Sequence, residues 1–248
     1  MRLVLNDPRL FKESVNIISE LVNEVTFKID KDMVSVAATD PANISMVNFK
    51  LLSSAFDEYE VEKPTTLAVN LENLKAVLKR VGQTDSLILR LDENNNKLSV
   101  EIVGNGKRVF NLALLDLDAD EQKVPNLKFN AKVTIPSTVF DNAISDMEIV
   151  SDSVSLIASN ENFLIKAKGH TSDAKVELPV SDNVSVKLEE DSAKAKYALS
   201  YLTKMTKGSK FTDSVTLSFS NEYPLMISYL LQDKLELSFI LAPRVDED

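Results

Sequence analysis

Cysteine is absent from this 248-residue chain, which excludes disulfides and thiolate metal sites. Histidine occurs once, at His170. That removes His-pair metal sites, and its place beside Gly169 reads as an exposed loop. No apolar run approaches the roughly 20 residues that span a bilayer. The opening stretch, broken early by Asp7 and Pro8, does not read as a signal peptide. These features point to an intracellular protein, in cytoplasm or nucleoid, or in the nucleus if the source is eukaryotic. Positive charge is in deficit: 28 Lys and Arg against 38 Asp and Glu leave a net charge of −10. Taken as a sum, that opposes a nucleic-acid partner. A basic face can still sit on an acidic exterior, so the distribution of charge decides more than its total.

What is present suffices for a sizeable core. Hydrophobic residues make up 44% and charged residues 27%, as in ordinary globular domains. The chain divides around a polar connector that carries Asp116, Asp118, Asp120 and Glu121 and shows neither a period of two nor one of 3.6. Val124, Pro125 and Leu127 are apolar islands within it, and a linker that binds nothing needs none. Before the connector, residues 2–6 read as a strand and 9–23 as an amphipathic helix. Short alternating strands follow up to Leu51, then a strand over 66–70, a helix over 72–81 stopped by Gly82, and strands over 86–91, 97–103 and 108–115.

The same programme restarts after the connector. An offset of 129 carries Phe11, Val15, Ile18, Leu21 and Val25 onto Phe140, Ile144, Met147, Val150 and Val154. It also carries Val47, Phe49 and Leu51 onto Val176, Leu178 and Val180. An offset of 128 matches Leu71, Leu74, Asp85 and Leu89 to Leu199, Leu202, Asp213 and Leu217. An offset of 127 matches Leu98, Val100 and Leu112 to Leu225, Ile227 and Phe239. Two copies of one α+β unit, each with two helices, account for this order.

Catalytic patterns fail individually. The series Asp116, Asp118, Asp120 continues with Glu121 where a calcium loop needs Gly and with Leu127 where it needs Glu. Gly104 and Gly106 fit a hairpin turn between strands better than a phosphate cradle. No active site assembles, so the expectation is a non-enzymatic protein with no cofactor and no metal. The second helix of copy one carries Lys75, Lys79 and Arg80. Its counterpart is expected to carry Lys194 and Lys196 at its start, then Lys204, Lys207 and Lys210. Spacings of three and four put Lys75 with Lys79, and Lys204 with Lys207, on one face. Such lysines either decorate a solvated surface or hold phosphates without reading bases.

Three stretches carry a resemblance: Asp40-Pro41-Ala42-Asn43-Ile44-Ser45-Met46-Val47, the Leu-Asp-Leu-Asp start of the connector with Val124-Pro125, and the terminal Leu241-Ala242-Pro243-Arg244. In this order, on a duplicated chain, they resemble the sliding clamps of archaea and eukaryotes, the proliferating cell nuclear antigen family, with the archaeal form the more similar. The resemblance implies a duplicated α+β clamp domain: copy one over 1–115, an interdomain connector over 116–130, and copy two over 131–248. It implies a ring of three subunits with helices inside and antiparallel sheets outside. Its function would be that of a DNA polymerase processivity factor in replication and repair.

By position, the resemblance places Lys12, Lys75, Lys79, Arg80, Lys204, Lys207 and Lys210 toward double-stranded DNA, held without sequence preference. It places Ile44, Met46, Val124, Pro125, Phe129, Pro224, Ile240, Ala242 and Pro243 in a groove for short peptide motifs of polymerase, ligase, flap nuclease and clamp loader. Arg108, Phe110, Leu112 and Leu114 would meet Lys175, Glu177 and Pro179 of the next subunit. One departure stands out: the first helix of copy two carries Asp141, Asp146 and Glu148 and no basic residue. The rival readings are a clamp-fold adaptor that does not encircle DNA, one subunit of a heterotrimeric ring, and a carboxylate-based hydrolase or nuclease.

Overall fold

The computed structural model describes residues 1–116 and 122–244. Asp118, Asp120 and Glu121 of the connector, and the acidic end from Val245 to Asp248, lie outside the described residues. The chain forms two compact units. One comprises Met1–Pro41, Val47–Val124 and Leu231–Glu236; the other comprises Ala42–Met46, Pro125–Leu230 and Leu237–Asp248.

Copy one runs β1 (Arg2–Leu5), α1 (Arg9–Ile18), β2 (Glu24–Ile29), β3 (Met33–Thr39), β4 (Ser45–Leu52), β5 (Glu58–Glu60), β6 (Thr65–Asn70), α2 (Leu71–Leu78), β7 (Ser86–Asp92), β8 (Lys97–Val103) and β9 (Lys107–Ala113). Copy two runs β10 (Ala131–Pro136), α3 (Ser137–Glu148), β11 (Ser153–Ser159), β12 (Asn162–Lys168), β13 (Asp173–Pro179), β14 (Ser185–Leu188), β15 (Ser192–Ala198), α4 (Leu199–Met205), β16 (Ser214–Phe219), β17 (Leu225–Leu231) and β18 (Leu235–Leu241). The two lists have the same order, element for element.

Strand order repeats as well. Copy one has the order β5-β1-β7-β8-β9 and the run β4-β3-β2-β6; copy two has β14-β10-β16-β17-β18 and β13-β12-β11-β15. Substituting each strand by its counterpart turns one set into the other. In each unit the two helices pack together, α1 with α2 and α3 with α4. Helix α1 buries Phe11, Val15, Ile17 and Ile18, the stripe that its helical spacing predicts. Strand β3 buries Val34, Val36 and Ala38 in strict alternation, as a half-covered strand should.

The helices are shorter than their periodicity predicts. Past Ile18 the bonds tighten to a three-residue span, Glu20 N–H to Ile17 O at 3.1 Å and Leu21 N–H to Ile18 O at 3.0 Å. The Ser19 hydroxyl meanwhile donates to Asn16 O at 2.7 Å. Such bonds satisfy the terminal carbonyls and end the helix. Helix α2 starts on Asn70, whose side chain accepts from Asn73 N–H at 3.0 Å, a cap that contributes about 1 kcal/mol. It ends at Leu78, before Gly82, with Arg80 N–H to Val77 O at 2.9 Å.

Lys194 and Lys196 do not begin a helix. Both lie in β15, where Ala193, Ala195 and Tyr197 are buried and the lysines alternate outward. The apolar period here is two, and the helix starts only at Leu199.

Candidate functional site

Basic side chains gather on and just after the second helix of each unit. In α2, burial of Leu71, Leu74, Val77 and Leu78 turns Lys75 outward. Lys79 follows as the C-terminal cap and Arg80 stands in the turn beyond; both are exposed. Lys12 projects from α1 to the same region, and its ammonium donates to Val81 O at 3.1 Å. In the second unit Lys204 lies on α4, 5.6 Å from the Tyr201 ring centroid. That is cation–π distance, which steadies the lysine without neutralising it. Lys207 and Lys210 follow in a 3-10 turn, Thr206–Lys210. Helix α3 offers Asp146 and Glu148 to solvent instead.

The predicted groove residues fall mostly in the second unit. Asn43 adopts φ 55°, a left-handed conformation that Asn tolerates. The turn leaves Ile44 39% exposed. Ile44 O accepts from Ala242 N–H at 2.9 Å. Two residues further along each antiparallel segment, the register sets Met46 opposite Ile240. Met46, Ile240, Ala242 and Pro243 are all half-buried.

Phe129 meets Tyr223 edge-on, with centroids 6.1 Å apart and planes at 75°. Tyr223 O in turn accepts from the Tyr197 hydroxyl at 2.8 Å, which fixes the loop holding the half-buried Pro224. Pro125 is exposed. Val124 belongs to the first unit and is 41% exposed. Tyr223 was missed in the sequence; its only signal was its position next to Pro224.

The residues expected to close the ring lie on or beside strands that end their sheets. β9 ends the first unit's five-stranded sheet and β13 ends the second unit's four-stranded one. Phe110, Leu112 and Leu114 are half-buried, while Lys175, Glu177 and Pro179 are exposed. Val109 and Val180 are 48% and 45% exposed; the sequence names Val180 as the counterpart of Leu51 but does not single out Val109. Arg108 is engaged within its own chain: Nη2 donates to Asp85 Oδ2 at 2.5 Å and Nη1 to Arg80 O at 3.0 Å. Lys175 pairs with Glu177 at 2.5 Å, which holds the Glu177 carboxyl below its ordinary range.

No group of three or more His, Cys, Asp or Glu placed to hold a metal occurs among the described residues. Among them, too, no helix is long and apolar enough to cross a membrane.

This duplicated arrangement has known parallels. Residues 1–123 match the family described as proliferating cell nuclear antigen, N-terminal domain, and residues 123–244 match its C-terminal domain. A DNA polymerase sliding clamp of Pyrococcus furiosus is 37% identical over 99% of this chain and 98% of its own length. Another, from Thermococcus gammatolerans, is 38% identical over the same shares. Among solved structures, the proliferating cell nuclear antigen of Thermococcus kodakaraensis superposes with a TM-score of 0.90 at 26% identity, covering 98% of this chain and 99% of that one. The Entamoeba histolytica protein gives the same score at 24% identity over 98% of each chain, a likeness of fold. The chain belongs to the proliferating cell nuclear antigen family of sliding clamps.

Proposed function

We propose that this chain is a DNA polymerase sliding clamp that closes with two further copies around duplex DNA and tethers replication and repair enzymes through the Ile44–Pro243 groove. One observation carries the ring. Strands β9 and β13 each end their own sheet, and core-type side chains on or beside them stand uncovered among the described residues, Val109 48% and Val180 45% exposed. Joining β9 of one subunit to β13 of the next removes both edges. The domain division follows, with 116–130 as connector.

The chemistry is physical, with no bond made or broken. Lysines on and after α2 and α4 meet phosphates and leave base edges unread, so the ring slides while contacts exchange. Topological linkage replaces tight binding, which reconciles a net charge of −10 with a DNA partner. The half-buried apolar residues of the groove suit aliphatic and aromatic anchors of short motifs from polymerase, clamp loader, ligase and nuclease. The place of action is wherever the replicating DNA lies.

Light scattering across a dilution series tests the ring. A mass near three times 27.5 kDa is expected; a monomer at all concentrations would overturn the homotrimer and point to different partner subunits. Exchanging Lys75, Lys79, Lys204 and Lys207 for Ala is then expected to reduce processive synthesis steeply as salt rises. Unchanged stimulation of the polymerase would favour an adaptor that does not encircle DNA.

A further inference from the structure

The lysines displaced from the helix by the structure belong to a second basic surface. In the sheet β13-β12-β11-β15, one face packs against α3, and on the other Lys166, Lys168 and Lys194 are exposed among the described residues. That second face holds a depression of about 450 Å³ whose rim carries Lys166, Lys168, Lys175, Lys194 and Lys196. Register explains its shape. Ser155 of β11 stands directly between Lys166 of β12 and Lys196 of β15, and Ile157, two residues on, stands beside Lys194. A strand of short side chains between two strands of long ones makes a trough, with Ser153 and Ser155 as its floor.

The charge of the trough is positive in a chain of net charge −10. Among the described residues, Asp173 is the one carboxylate lining it. Glu177, at the far flank, pairs with Lys175. Asp152, beyond the β15 end, pairs with Arg244 at 2.8 Å.

We propose that this trough is a docking site for an extended acidic peptide of a partner protein, with carboxylates at alternate positions. The match is metric as well as electrostatic. Side chains two apart on a strand are spaced by about 7 Å. Lys166 and Lys168 on one wall, and Lys194 and Lys196 on the other, therefore present cations at the repeat of an extended peptide's alternate carboxylates. The walls are two strand spacings, about 10 Å, apart, which leaves room for one extended chain above the serines. Single-stranded nucleic acid fits less well: among the described residues no aromatic side chain lines the depression, and its binding sites rely on stacking platforms.

The probe is a fluorescein-labelled octapeptide of alternating glutamate and serine, followed by anisotropy at low salt. It is expected to bind the full chain, and its glutamine analogue is not. In the double variant Lys166→Glu, Lys194→Glu the affinity is expected to fall about tenfold or more, from two lost attractions and two new repulsions. Lys175 is left intact because its strand is the proposed closure edge, so an altered light-scattering mass would report on the ring and not on the trough. Should the glutamate variant melt early, the Lys166→Gln, Lys194→Gln pair is expected to weaken binding in the same direction, and Lys→Arg at both positions to restore it. Unchanged affinity in the charge variants, equal loss in a Lys75→Ala, Lys204→Ala control, or displacement of the peptide by charge-matched oligothymidylate would each overturn the proposal.

Discussion

Leu112 and Phe239 occupy the same position of the two repeats, yet Phe239 is 0% exposed while Leu112 is only half-buried. The difference extends along both strands. Leu237 and Leu241 are enclosed where Phe110 and Leu114 are not, and Leu51 is 0% exposed where its counterpart Val180 is 45% exposed. Side chains of core type at a strand edge call for a covering strand. Placing a charge at Leu112 should therefore oppose closure by about 2–4 kcal/mol. Leu112→Glu is expected to shift the light-scattering mass toward 27.5 kDa with the circular dichroism spectrum kept. A mass unchanged on dilution would remove β9 from the interface.

The proposed groove is lined by half-buried apolar residues, so truncating its anchors should weaken binding without disturbing the ring. Met46→Ala and Pro243→Ala are each expected to reduce the affinity for a partner peptide by about tenfold. Phe129→Ala should do the same and free Tyr223 as well. Calorimetric titration checks this, and equal affinities in all three variants would remove the groove from this surface.

Tyr229 is 1% exposed, and its hydroxyl has no hydrogen-bond partner among the described residues. Burial pushes the phenol pKa up, with Asp141 adding to the shift. The ring also closes over Gly208, where an added Cβ would come within 2.4 Å of it. Tyr229→Phe removes an unsatisfied polar atom and keeps the packing, so it should stabilise by about 0.5–2 kcal/mol. The melting temperature should rise by a few degrees. Gly208→Ala should lower it, because the ring cannot withdraw into a filled core. A lower melting temperature for Tyr229→Phe would show that the hydroxyl has a partner after all.

Arg244 fixes the end of the groove strand twice: its backbone N–H donates to Lys196 O at 2.7 Å, and its guanidinium pairs with Asp152 at 2.8 Å. The Arg244 hydrogen bond holds the Asp152 carboxyl below its ordinary range. A depressed carboxyl stabilises the fold fully above its unfolded pKa, near 3.9, and that contribution is lost as pH falls through the lower folded value. In Arg244→Ala the Asp152 pKa is expected to return upward and this acid-side contribution to vanish. NMR titration of the carboxyl carbon reads the shift directly. The pair is exposed, so raising the salt should shrink it.

Much of the fold was legible in the chain itself because the duplication writes each element twice. The burial of Val34 and Val36 at the positions of Phe163 and Ile165 follows from alternation alone, as does the stripe of α1. Helix ends were not legible. They depend on local bonds such as Ser19 to Asn16 O, which compete with an apolar periodicity that continues past them. Lys194 and Lys196 were misplaced because the short residues Ala193 and Ala195 carry little apolar signal of either period. Only the pairing of β15 with β11 shows them as strand.

The sequence by itself determined the repeat, the alternation of its helices and most of its strands, Lys75 and Lys204 on the second helices, and the family. Those properties are periodic or local, and a linear pattern records them. The tertiary structure alone decided that β9 and β13 end their sheets with core-type side chains only half-buried. It alone placed Tyr223 against Phe129 and raised lysine walls on both sides of Ser155. Each of these depends on residues far apart in the chain meeting at a particular register, and strand register is set by the packing of whole faces.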